Sequence, residues 1–279
     1  MSFYLECKKM KRTGLVPAFF CGGLLAAAVP VLNMAFRSEM YLGLDAPPIQ
    51  ILMDANWQIM SMLNILLITA GACLMYHTEY ADNAIQRICT LPAKESRLFF
   101  GKSAFLVLMC AVILAVEAAG MAFCIFHWFG HSGGSGSALS AGLGNAPSGG
   151  LRNALSGVFG NIASGGLGNI ASAGIWSVLK SFGYAFLLML PAVFGTLWIA
   201  SACRNLWVSL GIGVVCIFTA TLLPAKSFAL SLFPFAMPFQ ILADTVPQTA
   251  RRFMIAAAAE LLVIAAGELI FLKLRRSFT

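Results

Sequence analysis

Apolar residues run for membrane-crossing lengths six times along this chain, and short polar stretches separate the runs. The runs are approximately Leu15–Phe36, Trp57–Tyr76, Ser103–Phe129, Ile175–Ala200, Leu206–Leu223 and Phe253–Leu272. A helix needs about 20 mostly apolar residues to cross the hydrocarbon core. Inside that core a lipid-facing backbone must satisfy its own polar groups, which long apolar helices do. The pattern therefore predicts an all-α, polytopic membrane fold with six transmembrane helices.

Three segments between and before the runs have their own character. In residues 2–13, Phe3, Cys7 and Met10 follow helical spacing while Lys8, Lys9, Lys11 and Arg12 are polar. This reads as an interfacial helix lying on the inner leaflet. The basic start followed by an apolar run has the look of a signal peptide. The run continues through Val29–Phe36, so a retained first helix is expected instead. Residues 130–174 are rich in Gly, Ser, Ala and Asn, and repeat Gly-Asn-Ile-Ala-Ser at Gly160 and Gly168. This is low-complexity repetition without a solenoid period, and an extracellular loop is expected there. Residues 224–250 hold Pro224, Pro234, Pro238 and Pro247 around an apolar stretch too short and broken to cross. A re-entrant segment before the last helix fits that pattern, since irregular backbone at depth must be buried in protein or line a cavity.

Composition strengthens the membrane reading. The chain of 279 residues is 59% hydrophobic and 10% charged, against about 25% charged residues in a soluble protein. The net charge is +7, but its distribution carries more information, because loops on the cytoplasmic side are enriched in Lys and Arg. With the N-terminus inside, that side holds Lys8, Lys9, Lys11, Arg12, Arg87, Lys94, Arg97, Lys102, Arg204, Lys273, Arg275 and Arg276, twelve of the 18 basic residues. Both termini are expected to be cytoplasmic, and the basic patches read as orientation rather than nucleic-acid binding. None of the eight cysteines forms a Cys-x-x-Cys pair, and most lie in apolar runs, so no disulfide framework is expected.

Enzyme chemistry finds no motif. Gly101-Lys102-Ser103 resembles the end of a phosphate loop, but Ser96 stands where the first glycine is needed. The three histidines, His77, His127 and His131, lack metal-ligand spacing, and no metal site is expected. Three carboxylates sit within the apolar runs: Glu117, Glu260 and Glu268. A charge at bilayer depth is costly and normally faces protein or water. Glu117 and Glu260 are candidates for a substrate path. Structural pairing with a polar side chain on a neighbouring helix is the alternative for Glu117, and is favoured for Glu268.

The polar island at residues 77–102 has a helical pattern up to Pro92. Ala81, Ile85, Ile88 and Cys89 share one face, with Glu79, Asp82, Asn83, Gln86 and Arg87 around the rest. Proline disfavours helix just before it, so the helix should stop near Leu91. A short helix lodged in the groove of a soluble partner would use this layout.

Two stretches resemble a known family. Glu6-Cys-Lys-Lys-Met-Lys-Arg12 resembles the opening of type-2 ABC transporter permeases. Glu79-Tyr-Ala-Asp-Asn-Ala-Ile-Gln-Arg87, with Thr90-Leu-Pro92 and Lys102, resembles their first cytoplasmic loop. Among these permeases the chain is most similar to those of lantibiotic-immunity and bacitracin-type exporters. The resemblance implies a single permease domain over residues 1–279 in the bacterial plasma membrane. Residues 2–13 would be a connecting helix, with Glu6, Lys8, Lys9, Lys11 and Arg12. Tyr80–Leu91 would be a coupling helix, with Glu79, Tyr80, Asp82, Asn83, Ile85, Arg87, Ile88, Leu91 and Pro92 as its contact residues. It further implies two copies of a separate ABC ATPase that bind ATP and Mg²⁺, no cofactor on this chain, and a second permease subunit, identical or sister. The substrate would be an amphipathic antimicrobial peptide. The alternatives are a permease for another hydrophobic or lipid substrate, or a membrane transporter or enzyme outside this family.

Overall fold

A computed structural model describes residues 14–44, 46–81, 95–129, 170–203, 205–222, 228–241 and 247–277, and every regular element among them is helical. The elements are α1 (Leu15–Leu42), α2 (Pro48–Ala81), α3 (Glu95–Cys124) continuing into a π-helical turn (Ile125–Phe129), α4 (Ile170–Ala202), α5 (Leu206–Leu222), α6 (Phe228–Ser231), a 3₁₀ turn (Met237–Phe239) and α7 (Pro247–Ser277). Among the described residues, four stretches are long and apolar enough to cross a membrane: Leu15–Leu42, Pro48–Thr78, Phe99–Phe129 and Ile175–Ala202. α5 is equally apolar but has 17 residues. α7 has 31, with Arg251 and Arg252 near its start and Lys273, Arg275 and Arg276 near its end.

The helices extend past the apolar runs that announce them. α2 begins at Pro48, nine residues before Trp57, because proline suits the first helical position and Ile49, Ile51, Leu52 and Met53 are buried there. At its other end α2 runs through Ala81, so Tyr80 belongs to this long helix. α3 starts at Glu95, which narrows the expected 77–102 loop from both sides. α4 starts at Ile170, so residues 170–174 are helical rather than part of the expected 130–174 loop. Likewise α7 takes in residues 247–250 of the segment expected over 224–250. The connecting helix over 2–13, the coupling residues 82–94 and residues 130–169 lie outside the described residues.

α2 is the centre of the bundle. It packs against α1, α3, α4, α5 and the 3₁₀ turn, while α3 lies along α1 and α4, and α7 along α4. One core joins the first four helices through Phe19, Trp57, Ile68, Phe105, Ile113 and Met189. The outside is also apolar: Leu25, Phe36, Trp207, Phe218, Leu222 and Val263 are exposed. A bundle apolar on both its inner and outer faces is suited to lipid.

Small residues allow the closest helix approaches. A Cβ on Gly120 of α3 would stand 3.1 Å from the carbonyl oxygen of Ala27 in α1, and one on Gly213 of α5 would collide with Thr69 of α2. Lipid offers no hydrophobic drive for helix association, so such backbone contact is a main source of it. Gly120→Val is expected to destabilise the bundle by about 1–3 kcal/mol, the usual range for overpacking. Gly183→Val, with open space around the new Cβ, is the matched control. Thermal unfolding of the purified variants in detergent compares the two, and equal midpoints would discount the α1–α3 contact.

Candidate functional site

α2 carries a column of polar side chains through an otherwise apolar bundle, and most of their bonds lead to neighbouring elements. Near its start, Asn56 accepts a hydrogen bond from Asn33 Nδ2 of α1 at 2.7 Å and donates to the Leu52 carbonyl at 2.9 Å. Trp57 Nε1 and Ser61 Oγ both donate to the Pro238 carbonyl, at 2.9 and 3.0 Å. These two donors fix the 3₁₀ turn against α2. Phe235, Ala236, Met237 and Pro238 are buried there.

Midway along the bundle, Asn64 Nδ2 donates to Glu117 Oε2 of α3 at 3.0 Å. Both residues are almost wholly buried. The second oxygens, Asn64 Oδ1 and Glu117 Oε1, have no hydrogen-bond partner among the described residues. Thr69 returns its hydroxyl to the Ile65 carbonyl of its own helix at 2.7 Å. Below it, Cys73 Sγ meets Ser209 Oγ of α5 at 2.7 Å.

At the far end the ties multiply. Tyr80 donates its hydroxyl to the Ser201 carbonyl of α4 at 2.8 Å. Ser201 Oγ donates to Glu268 Oε1 of α7 at 3.1 Å. Lys102, in the second turn of α3, is only 1% exposed, with its ammonium 3.8 Å from the centre of the Tyr76 ring. The two stems flanking residues 82–94, the end of α2 and the start of α3, are therefore clasped together. From Asn56 to Tyr80 the column spans about 36 Å at about 1.5 Å per residue. Interhelical hydrogen bonds in a membrane are worth about 0.6–2 kcal/mol each.

The residues singled out from sequence fall into three groups. Glu117 joins Asn64 inside the bundle. Glu260 lies on α7, partly buried, with its Oε2 shielded from solvent and without a described hydrogen-bond partner. Glu268 is tied to Ser201, as its structural alternative supposed. Of the coupling residues, Glu79 and Tyr80 lie in the last turn of α2. Asp82, Asn83, Ile85, Arg87, Ile88, Leu91 and Pro92 lie outside the described residues, as do Glu6, Lys8, Lys9, Lys11 and Arg12.

Sequence reasoning missed the column itself. Ser61, Asn64 and Thr69 interrupt the second apolar run and Asn56 stands just before it, and that polar spacing is the signal that would have found it. It also missed Asp54, which lies one turn before Gln58 on the wall of a cavity of about 340 Å³. The cavity lies between the start of α2, the end of α5 and residues 231–241. Among the described residues, no group of three or more His, Cys, Asp or Glu is arranged to hold a metal ion.

Contacts at the Tyr80 end of α2 reach α3 and α4, and Cys73 reaches α5. The sequence model for ABC-2 family transporter proteins matches residues 2–143, a little over half of the chain. No curated protein and no solved structure matches it. With an apolar exterior suited to lipid, and by this match over more than half of its length, the chain belongs to the ABC-2 transporter family, a membrane component of a transporter rather than an enzyme.

Proposed function

We propose that this chain is the permease subunit of an ATP-driven exporter in a bacterial plasma membrane, with amphipathic antimicrobial peptides of the lantibiotic or bacitracin kind as substrates. The family match supports the permease part of this reading, since members of the ABC-2 family generally work with an ABC ATPase, and the choice of substrate rests on the resemblance of residues 6–12 and 79–102. The proposed topology has six spans, α1 to α5 and α7, with both termini cytoplasmic. α5 is the shortest span, about 25 Å at about 1.5 Å per residue. Residues 228–241 form the core of a re-entrant segment that dips in from outside beside α2.

In this arrangement residues 2–13 lie on the inner leaflet, and residues 82–94 dock on the ATPase between the clasped stems of α2 and α3. Two ATPase copies bind ATP and Mg²⁺, and a second permease subunit, identical or sister, completes the complex. Glu260, partly exposed on α7, faces the substrate path, while Glu117 acts from within the bundle.

The experiment is co-expression with a candidate ATPase, followed by capture and export assays. Wild-type chain is expected to retain the ATPase and confer resistance to cationic peptides. Ala84→Asp or Ile88→Asp, which puts a charge on the proposed docking face, should insert normally but lose most ATPase capture and resistance. Retention of the ATPase by both variants removes the docking assignment. ATP hydrolysis by the purified chain alone, above a contaminant control, removes the division of labour.

A further inference from the structure

We infer that Asn64 and Glu117 bind a proton between α2 and α3: Glu117 carries it on Oε1 and donates it to Asn64 Oδ1. One bond of the pair is in place, from Asn64 Nδ2 to Glu117 Oε2 at 3.0 Å. It leaves one oxygen on each side chain, Asn64 Oδ1 and Glu117 Oε1. Both are shielded from solvent, and neither has a hydrogen-bond partner among the described residues. An ionised carboxylate only accepts, and so does a carboxamide oxygen, so these two leftovers have nothing to exchange. One proton changes that. A carboxamide and a carboxylic acid each offer a donor beside an acceptor, and their edges are complementary. The second bond then runs opposite to the first, and neither oxygen is left over.

Charge leads to the same occupant. Glu117 is 0% exposed and Asn64 1%. A carboxylate that deep needs a cation beside it, or it takes up a proton and becomes neutral. Glu117 has no ion-pair partner among the described residues. On α3, Lys102 lies about 22 Å away along the helix at about 1.5 Å per residue, and Cys110 gives its thiol to Met189 Sδ. On α2, Asp54 stands more than two turns from Asn64 and is itself acidic. Arg37 of α1, Lys180 of α4 and Arg251 and Arg252 of α7 are exposed. The Lys180 ammonium is 6.0 Å from the Tyr184 ring centre. Glu260 and Glu268 of α7 add no cation.

A proton also fits the packing. It fills the missing donor without asking for space between two helices already in contact. Both bonds cross from α2 to α3, so the proton is held only while the helices keep this register. A slide of one residue parts donor from acceptor on both edges at once.

The test is infrared spectroscopy of the full chain in lipid nanodiscs at neutral pH, without any ATPase. Glutamate is isotope-labelled at its carboxyl carbon, so that a band which moves with the label belongs to glutamate and not to Asp54. Wild type is expected to show a labelled carboxylic-acid carbonyl band. Glu117→Gln should lose acid intensity equivalent to one group per chain and keep its carboxylate intensity. The lost band should lie below the frequency of an unbonded carboxyl, because Glu117 both donates and accepts.

Loss of carboxylate intensity in place of the acid band shows an ionised Glu117 and overturns the inference. So does an acid band at the frequency of an unbonded carboxyl, which leaves Asn64 Oδ1 unserved. If Glu117→Gln fails to insert, the double variant Glu260→Gln, Glu268→Gln decides. Its other glutamates, Glu6, Glu39, Glu79 and Glu95, precede the first described helix or lie in the end turns of helices. The acid band of Glu117 should survive in that variant, and its absence overturns the inference.

Discussion

Replacing Asn64 with leucine is expected to destabilise the bundle more than any other single change along α2. The substitution removes the donor to Glu117 Oε2 and leaves a buried carboxyl group in the middle of the bundle. A buried polar group deprived of its partner costs about 1–3 kcal/mol, and more when charged. Removing both members together is far milder, because apolar groups of similar shape leave nothing unsatisfied. The double variant Asn64→Leu, Glu117→Met should therefore recover most of the loss. Glu117→Gln should be tolerated outright. Its carboxamide still accepts from Asn64 Nδ2 and gains N–H groups to donate to Asn64 Oδ1, which lacks a described partner. Thermal unfolding midpoints in detergent test the cycle. A leucine variant as stable as wild type would show that the pair does not hold α2 to α3. If Glu117 meets substrate instead, Glu117→Gln should lower resistance to cationic peptides more than to neutral ones at equal protein level.

This pair also shows what the sequence conveys and what it withholds. The apolar runs locate the bodies of α1 to α4, because a run of membrane length leaves the backbone few alternatives to helix. They misplace the ends. Gln50, Asp54 and Asn56 break the apolar pattern before Trp57, yet Pro48 starts a helix and Ile49, Leu52 and Met53 continue its buried face. Helix extends wherever propensity and one-sided packing suffice, and hydropathy sees only the part that is apolar all round. Glu117 is visible as a costly carboxylate inside a span, but its partner lies 53 residues away. Trp57 and Pro238 are separated by 181 residues. No local period encodes such pairings; they follow from which helices pack together. The cavity at Asp54 is hidden for the same reason, since its walls come from three distant segments.

The polar island gives the last prediction, which separates docking on an ATPase from transmission into the bundle. The helix ends that flank residues 82–94 are tied into the bundle by contacts that include Lys102 over the Tyr76 ring and Tyr80 on the Ser201 carbonyl. The first ties α3 to α2, and the second ties α2 to α4, where Ser201 leads on to Glu268 of α7. Lys102→Met keeps the length and apolar stem and gives up a cation–π contact worth about 0.5–2 kcal/mol. Tyr80→Phe gives up one hydrogen bond, about 1 kcal/mol. Together they exceed the roughly 1.4 kcal/mol that corresponds to a factor of ten. The double variant is expected to insert, capture the ATPase and support ATP hydrolysis, while peptide export falls about tenfold. Ile88→Asp should fail earlier, at capture. If the double variant loses capture as well, Tyr80 and Lys102 belong to the docking surface. If its export matches wild type, the clasp is packing alone, and movement of the coupling segment reaches the bundle by another route. Capture, hydrolysis and export measured on one set of membranes distinguish these outcomes, because each variant breaks the sequence of events at a different step.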